Sequence, residues 1–184
     1  MDEEAAVLRD VTERLNEAGI PYMLTGSLAL CYYALPRMTR DIDMVIDPEH
    51  RSAGELCALF DEFYFVFEEA VASALKRRSM FNLIHKDMLI KADLIVRKQD
   101  PHRVFEFEHR QQVTFRDIPV SIVRKEDLII AKLIWAKDSK SRMQLGDVRS
   151  LLATGCEMSY IKAWVEKIGL KDIWREVADE GHDA

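Results

Sequence analysis

Two carboxylates open an apolar strand in this chain, and that segment constrains the fold more than any other. The segment runs Asp41-Ile42-Asp43-Met44-Val45-Ile46 and ends at Asp47-Pro48, after which an amphipathic helix is expected over Glu49 to Phe60. We expect an irregular start of the strand to turn Asp41 and Asp43 toward one metal cluster. Paired carboxylates of this kind suit Mg²⁺ or Mn²⁺, because Mg²⁺ keeps several waters and bridges to substrate phosphates. A solvated strand start is the alternative interpretation of the pair.

A turn upstream of this strand is suited to binding an anion. Residues Pro21 to Thr25 form a short apolar run, Gly26-Ser27 follows, and Leu28 to Leu35 can form a helix ended by Pro36. Such a turn offers backbone N–H groups, a hydroxyl and the positive end of a helix, and glycine permits close approach. We therefore predict that Gly26 and Ser27 bind phosphate, with an ordinary strand-to-helix turn as the alternative.

A third carboxylate lies within a later apolar strand. Asp93 stands in Met88 to Val96, and a carboxylate in so apolar a strand needs a partner. On a strand beside Asp41 and Asp43 it would complete a two-metal site of the kind that activates an attacking hydroxyl. The alternative is that Asp93 is a surface residue of an edge strand.

The order of strands and helices predicts an α/β (α+β) fold. Strands and helices alternate as far as a hairpin of Gln112 to Phe115 with Val120 to Val123, which turns at Arg116-Asp117. The periodicity is then helical, with a helix start at Lys125-Glu126-Asp127. We predict a catalytic lobe with a short mixed sheet at 1–123 and a helical lobe at 124–184.

Charge and hydropathy exclude some classes of protein. The net charge of −6 argues against a protein that coats long stretches of nucleic-acid backbone. A local contact stays open, because the helical lobe carries the basic series Lys132, Lys137, Lys140 and Arg142. No apolar run is long enough to span a membrane and the acidic N-terminus does not resemble a signal peptide, so we expect a cytoplasmic protein without a membrane partner.

Two stretches, Gly26 to Leu30 and Arg37 to Ile46, carry a family resemblance. Together they resemble the signature of the polymerase-β-like nucleotidyltransferases, a Gly-Gly/Ser turn followed by Asp-x-Asp. The Arg-x-Ser/Thr-x-Asp-x-Asp form looks most like the AbiEii-type toxins of bacterial toxin-antitoxin and phage-defence systems. The resemblance implies that Gly26 and Ser27 hold the triphosphate and that Asp41, Asp43 and Asp93 hold metal. Arg37 is assigned to the nucleotide, with pairing to the carboxylates as its alternative.

The resemblance extends to the helical lobe. Glu126 to Leu133 and the later Asp147 are similar to the family's lysine-bearing helix and downstream aspartate, which implies that Lys132 contacts the nucleotide and that Asp147 orients it. A snorkelling lysine and a capping or solvated aspartate are the alternatives. The chain departs from the family at Ser27, where many relatives have glycine, and at Gln144, near which relatives often carry a basic residue.

The function implied is transfer of a nucleoside monophosphate from a nucleoside triphosphate to an acceptor hydroxyl, with Mg²⁺ or Mn²⁺ as cofactor. A toxin-like enzyme would act on a tRNA end or a protein and pair with an antitoxin. An antibiotic-modifying enzyme would act on an aminoglycoside or a lincosamide instead. A nucleotide-binding module without turnover is the alternative from a different class.

Overall fold

A seven-stranded mixed sheet forms the framework of the chain in the computed structural model, which describes residues 3–34 and 41–179. Its strands lie in the order β3-β4-β5-β2-β1-β7-β6. Their bounds are β1 Tyr22–Leu24, β2 Asp41–Ile46, β3 Tyr64–Phe65, β4 Met80–His85, β5 Lys91–Val96, β6 Gln111–Phe115 and β7 Ile118–Ile122.

The middle of this sheet is formed by β2 and its two neighbours. β2 pairs in parallel with β5 and antiparallel with β1. Ile42, Met44 and Ile46 are buried and alternate with residues that are more exposed. Because side chains on alternate residues share a face, one face of β2 packs into the core and the other is left for Asp41 and Asp43.

Nine helices accompany the sheet in the part of the chain that is described. They are α1 Glu3–Glu17, α2 Gly26–Tyr33, α3 Ala53–Ala58, α4 Glu68–Arg77, α5 Pro101–Glu108, α6 Lys125–Ser139, α7 Arg142–Ala153, α8 Met158–Lys167 and α9 Lys171–Asp179. Among these helices, none combines the length and the apolar character that crossing a membrane requires.

Local sequence signals explain two of the boundaries. The predicted hairpin turn at Arg116 and Asp117 is present, and both residues have positive φ, at 50° and 61°, as a two-residue hairpin turn requires. The helix that we expected to start at Glu49 starts at Ala53 instead. Ser52 caps it, accepting from the backbone N–H of Glu55 while the Glu55 carboxylate accepts from the Ser52 backbone.

The chain divides into two compact units. The first comprises residues 3–28 and 41–123 and contains the whole sheet. The second comprises residues 29–34 and 124–179 and is helical, with α6 packed against α7 and α8. Residues 29–33 form most of α2, so the division runs through that helix, whereas the sequence-based division assigned all of it to the first lobe.

Candidate functional site

The three predicted metal ligands lie on one face of the sheet. Asp41 and Asp43 are two residues apart on β2, so their side chains point the same way. Asp93 is the register partner of Asp43 on the parallel neighbour β5, which places it on that face as well. β2 pairs regularly with β5 from Asp41 to Ile46, so the expected irregular strand start is wrong and is not needed.

The carboxylates differ in their access to solvent. The side chain of Asp41 is 55% exposed, whereas that of Asp93 is 8% exposed. Asp93 lies on β5, which is flanked by β4 and β2, so the alternative of an edge-strand surface residue is wrong. The face therefore offers one carboxylate that solvent reaches freely beside one that is nearly buried.

Two neighbouring side chains hold Asp93. The amide of Asn82, its register partner on β4, donates to Asp93 Oδ1. The ammonium of Lys91 donates to Asp93 Oδ2 at 3.0 Å and lies 3.6 Å from Asp41 Oδ1. These contacts, first of all the hydrogen bond to Asp93, raise the pKa of Lys91 above its ordinary value of 10.5. Lys91 therefore stays charged and bridges two of the three carboxylates.

The sequence analysis missed both partners of Asp93. For Lys91 a signal was present, because it precedes Asp93 by two residues on the same strand and must share its face. Asn82 carried no such signal, since its position depends on the register between β4 and β5.

The Gly26 turn packs against the carboxylates. The backbone N–H of Thr25 donates to the carbonyl oxygen of Asp43 at 2.9 Å. Gly26 has φ of 62°, and a Cβ built on it would lie 2.0 Å from Asp43 Oδ2. Only glycine fits this position, because any side chain would meet both backbone strain and the Asp43 carboxylate. Ser27 is buried beside it at the start of α2. The predicted phosphate-binding turn and metal ligand are thus neighbours.

The donor set suits a hard divalent cation. Asp41, Asp43 and Asp93 offer carboxylate oxygens, the ligands that Mg²⁺ and Mn²⁺ prefer, and the register of β2 with β5 makes them adjacent. Within residues 3–34 and 41–179, no three His, Cys, Asp or Glu side chains are already gathered as a metal cluster. The backbone therefore brings the three candidate ligands to one face, and side-chain movement, including that of Lys91, would be needed to gather their oxygens around a cation. Arg37, predicted to bind the nucleotide, lies outside the described residues.

Lys132 and Asp147 form a buried ion pair in the second unit. Lys132 Nζ on α6 lies 2.7 Å from Asp147 Oδ2 on α7, and their side chains are 5% and 7% exposed. Lys132 also donates to Gln144 Oε1 at 3.1 Å. The alternatives of a snorkelling lysine and a solvated aspartate are wrong. Gln144, noted as a departure from the family pattern, is a hydrogen-bond partner of the lysine.

A second buried carboxylate of this unit was also missed. Asp127 on α6 is fully buried and accepts a hydrogen bond of 2.5 Å from the hydroxyl of Tyr160 on α8. The guanidinium of Arg124 lies over the Tyr160 ring at 5.0 Å. Burial, followed by the hydrogen bond to Asp127, raises the pKa of Tyr160 above its ordinary value of 10.0. The sequence indicated only a helix start at Asp127, so a structural contact between α6 and α8 was not anticipated.

No protein-family model and no curated protein sequence matches the chain. Several solved structures do match the chain, as follows. The antibiotic-resistance factor ANT(2″)-Ia superposes over 100% of both chains with a TM-score of 0.61 and 16% identity. An antigenic nucleotidyltransferase-like protein from Paracoccidioides brasiliensis matches with a TM-score of 0.57 and 19% identity, over 83% of this chain and 76% of its own.

A third similar structure is the lincosamide antibiotic adenylyltransferase LnuA, with a TM-score of 0.54 and 13% identity over 84% of this chain and 98% of its own. LnuA is thus an adenylyltransferase, and the Paracoccidioides protein is nucleotidyltransferase-like. The chain therefore has a nucleotidyltransferase-like fold.

Proposed function

We propose that this protein is a metal-dependent nucleotidyltransferase that moves a nucleoside monophosphate from a nucleoside triphosphate to an acceptor hydroxyl. One observation supports this more than any other: Asp41, Asp43 and Asp93 share one sheet face, with the Gly26 turn against Asp43. A phosphate chain bound at that turn would lie next to the carboxylates that hold metal.

The chain's own residues have separate tasks in this reaction. Asp41, Asp43 and Asp93 would hold the divalent cations, which supply charge neutralisation at the reacting phosphate and acidify the attacking hydroxyl. Backbone N–H groups at Gly26 and Ser27 bind the β- and γ-phosphates. The acceptor oxygen forms a bond to the α-phosphorus, the bond from that phosphorus to the bridging oxygen breaks, and pyrophosphate leaves. The carboxylate of Asp93 accepts the acceptor's proton.

A small hydroxyl-bearing cation is our first candidate for the acceptor. ANT(2″)-Ia is an antibiotic-resistance factor and LnuA an antibiotic adenylyltransferase, and the matches span 100% and 98% of their chains. The net charge of −6 attracts cations, and Asp41 is an exposed carboxylate on the site face.

A nucleic-acid end is the second candidate, because the helical unit has a basic cavity. The cavity measures about 740 Å³ and its lining includes Lys137, Lys140, Arg142 and Arg149, with Asp172 and Glu176. Such a surface attracts phosphates locally although the whole chain is acidic. This acceptor belongs with the AbiEii-type toxin hypothesis, in which an antitoxin would be the partner.

The first experiment measures transfer of label from each α-labelled nucleoside triphosphate in the presence of Mg²⁺. The acceptors are aminoglycosides, lincosamides, total cellular RNA and total protein, each in a separate arm. We expect transfer in one arm, and at least a hundredfold less, in order of magnitude, from Asp41→Asn/Asp43→Asn. Asp87→Asn, the same chemical change in the exposed turn after β4, is the matched control and should keep full activity.

Four outcomes discriminate the hypotheses. Label on RNA or protein favours the toxin-like function, and label on an antibiotic favours the resistance-like one. Transfer that survives Asp41→Asn/Asp43→Asn overturns the assignment of the site. Nucleotide binding without pyrophosphate release in any arm favours a binding module without turnover.

A further inference from the structure

One ammonium group faces the acidic side of the sheet among the three carboxylates. Lys91 is the register partner of Asp41 and precedes Asp93 by two residues, so its side chain emerges on their face. Its Nζ lies 3.0 Å from Asp93 Oδ2 and 3.6 Å from Asp41 Oδ1. Lys91 thus contacts two of the oxygen donors that the proposed metal site requires.

Neighbouring carboxylates need a cation to remain together. Asp41, Asp43 and Asp93 repel one another when ionised, and Asp93 is buried enough that water screens it poorly. The Lys91 ammonium offsets that repulsion. A divalent cation would do so more strongly, but through the same oxygens, and two cations within a few ångströms of each other repel. Lys91 and a metal ion therefore cannot both occupy these oxygens in the arrangement described.

We propose that Lys91 is an internal counter-ion that holds the carboxylates together without metal and leaves them when metal binds. The inference rests on the proposed function, since it concerns the same carboxylates. The Lys91 side chain is 36% exposed and has a flexible four-carbon stem, so the ammonium can move into solvent while its backbone stays in β5. Lys91 sets the affinity of the site for metal, because each metal ion must first displace it.

The test measures Mn²⁺ binding directly, by isothermal titration and by the paramagnetic resonance signal of free Mn²⁺, with no nucleotide present. Lys91→Met keeps the stem and removes the charge. We expect it to bind Mn²⁺ about fivefold more tightly than the wild type, a change typical of losing one partly exposed ion pair. Lys76→Met, which removes an exposed cation of α4, is the matched control and should bind as the wild type does. Lys91→Arg keeps a cation and should not tighten binding.

Thermal unfolding gives a readout that does not depend on turnover. Without metal, Lys91→Met should unfold at a lower temperature than the wild type, by about 2–4 °C, because the carboxylates lose their counter-ion. Saturating Mn²⁺ should remove that difference. Lys76→Met should show neither effect.

The outcomes separate this inference from the proposed function. If Mn²⁺ binds, Asp41→Asn/Asp43→Asn abolishes binding and Lys91→Met binds no more tightly than the wild type, the counter-ion role is overturned and the metal site stands. If neither the wild type nor Lys91→Met binds Mn²⁺, or if binding survives Asp41→Asn/Asp43→Asn, the metal site itself is overturned and the role of Lys91 with it.

Discussion

Lys91 in the first unit and Lys132 in the second each contact a carboxylate, and the two contacts differ in their access to solvent. Lys91 contacts Asp93 at 3.0 Å on an accessible sheet face that carries three carboxylates. Lys132 contacts Asp147 at 2.7 Å between two helices, where both side chains are almost fully buried. The first cluster is open to solvent at Asp41, so a further cation can enter. The second is a matched pair of one lysine and one carboxylate, which solvent barely reaches.

Removing the buried lysine is expected to have the largest effect on stability. Lys132→Met leaves the Asp147 carboxylate buried without its ammonium, so we expect the free energy of unfolding to fall by about 3–5 kcal/mol. Urea unfolding followed by circular dichroism measures it. Lys137→Met changes an exposed lysine of the same helix and should stay within about 0.5 kcal/mol of the wild type. A similarly small change in Lys132→Met would mean that the pair is not structural, and would favour a nucleotide-binding role for Lys132.

The next largest effect is expected at the turn beside Asp43. Gly26→Ala adds a Cβ that would lie 2.0 Å from Asp43 Oδ2, at a φ that disfavours alanine, and should lower the free energy of unfolding by about 2–3 kcal/mol. Gly19→Ala separates the two causes, because Gly19 has φ of 66° with nothing near its added Cβ. It should lose only about 1 kcal/mol by urea unfolding. Equal losses in the two variants would show that contact with Asp43 contributes nothing.

A smaller effect is expected at the Tyr160–Asp127 hydrogen bond. Tyr160→Phe should lower the free energy of unfolding by about 1–2 kcal/mol at pH 7, because Asp127 loses a donor.

The raised pKa of Tyr160 adds a pH dependence to the stability. The contribution of Tyr160 to the free energy of unfolding is fully present below pH 10.0, the ordinary pKa, and is lost as pH rises toward the folded-state pKa. Thermal unfolding is measured from pH 8 to 11 in steps of about one unit. The unfolding temperature of Tyr160→Phe should therefore fall less steeply with rising pH than that of the wild type. Tyr32→Phe, at an exposed tyrosine, is the control; an identical decline in wild type and Tyr160→Phe would contradict the assignment.

The smallest effect is expected at the exposed carboxylate of the sheet face. Asp41→Asn, measured without metal, should change the free energy of unfolding by less than about 0.5 kcal/mol, because lost attraction to Lys91 is offset by reduced repulsion among the carboxylates. Asp147→Asn, the same change in the buried pair, should be clearly destabilising in the same urea experiment. Similar losses in the two variants would remove the distinction between an open cluster and a matched pair.

The strand, turn and helix order of the first unit could be predicted because each step has a local signal. Gly26 marks the turn, the acidic start marks β2, and Arg116-Asp117 marks the hairpin, and the structure confirms all three elements. The helix start at Ala53 was missed because the capping pair Ser52 and Glu55 was overlooked, although it too is local.

The partners of the candidate ligands could not be predicted in the same way. Asn82 reaches Asp93 through the register of two strands, and Lys132 reaches Asp147 through the packing of two helices. Neither contact follows from local periodicity, since residues far apart in sequence meet only through tertiary structure. The sequence thus predicted that these carboxylates come together, but not which cations and amides hold them. The roles of Asp41, Asp43 and Asp93 in catalysis stay predictions, as do those of Gly26, Ser27, Arg37, Lys132 and Asp147 in nucleotide binding.

The parallel pairing of β2 with β5 has a consequence for how the chain can fold and vary. Asp43 and Asp93 become neighbours only when the long segment between their strands, which contains α3, α4, β3 and β4, is closed into a loop. The entropy of closing such a loop grows only logarithmically, by about 0.6 kcal/mol for each doubling of its length. Insertions in the exposed turn at Lys86 and Asp87 should therefore be tolerated, leaving the geometry of the carboxylates unchanged while the segment between them changes in length.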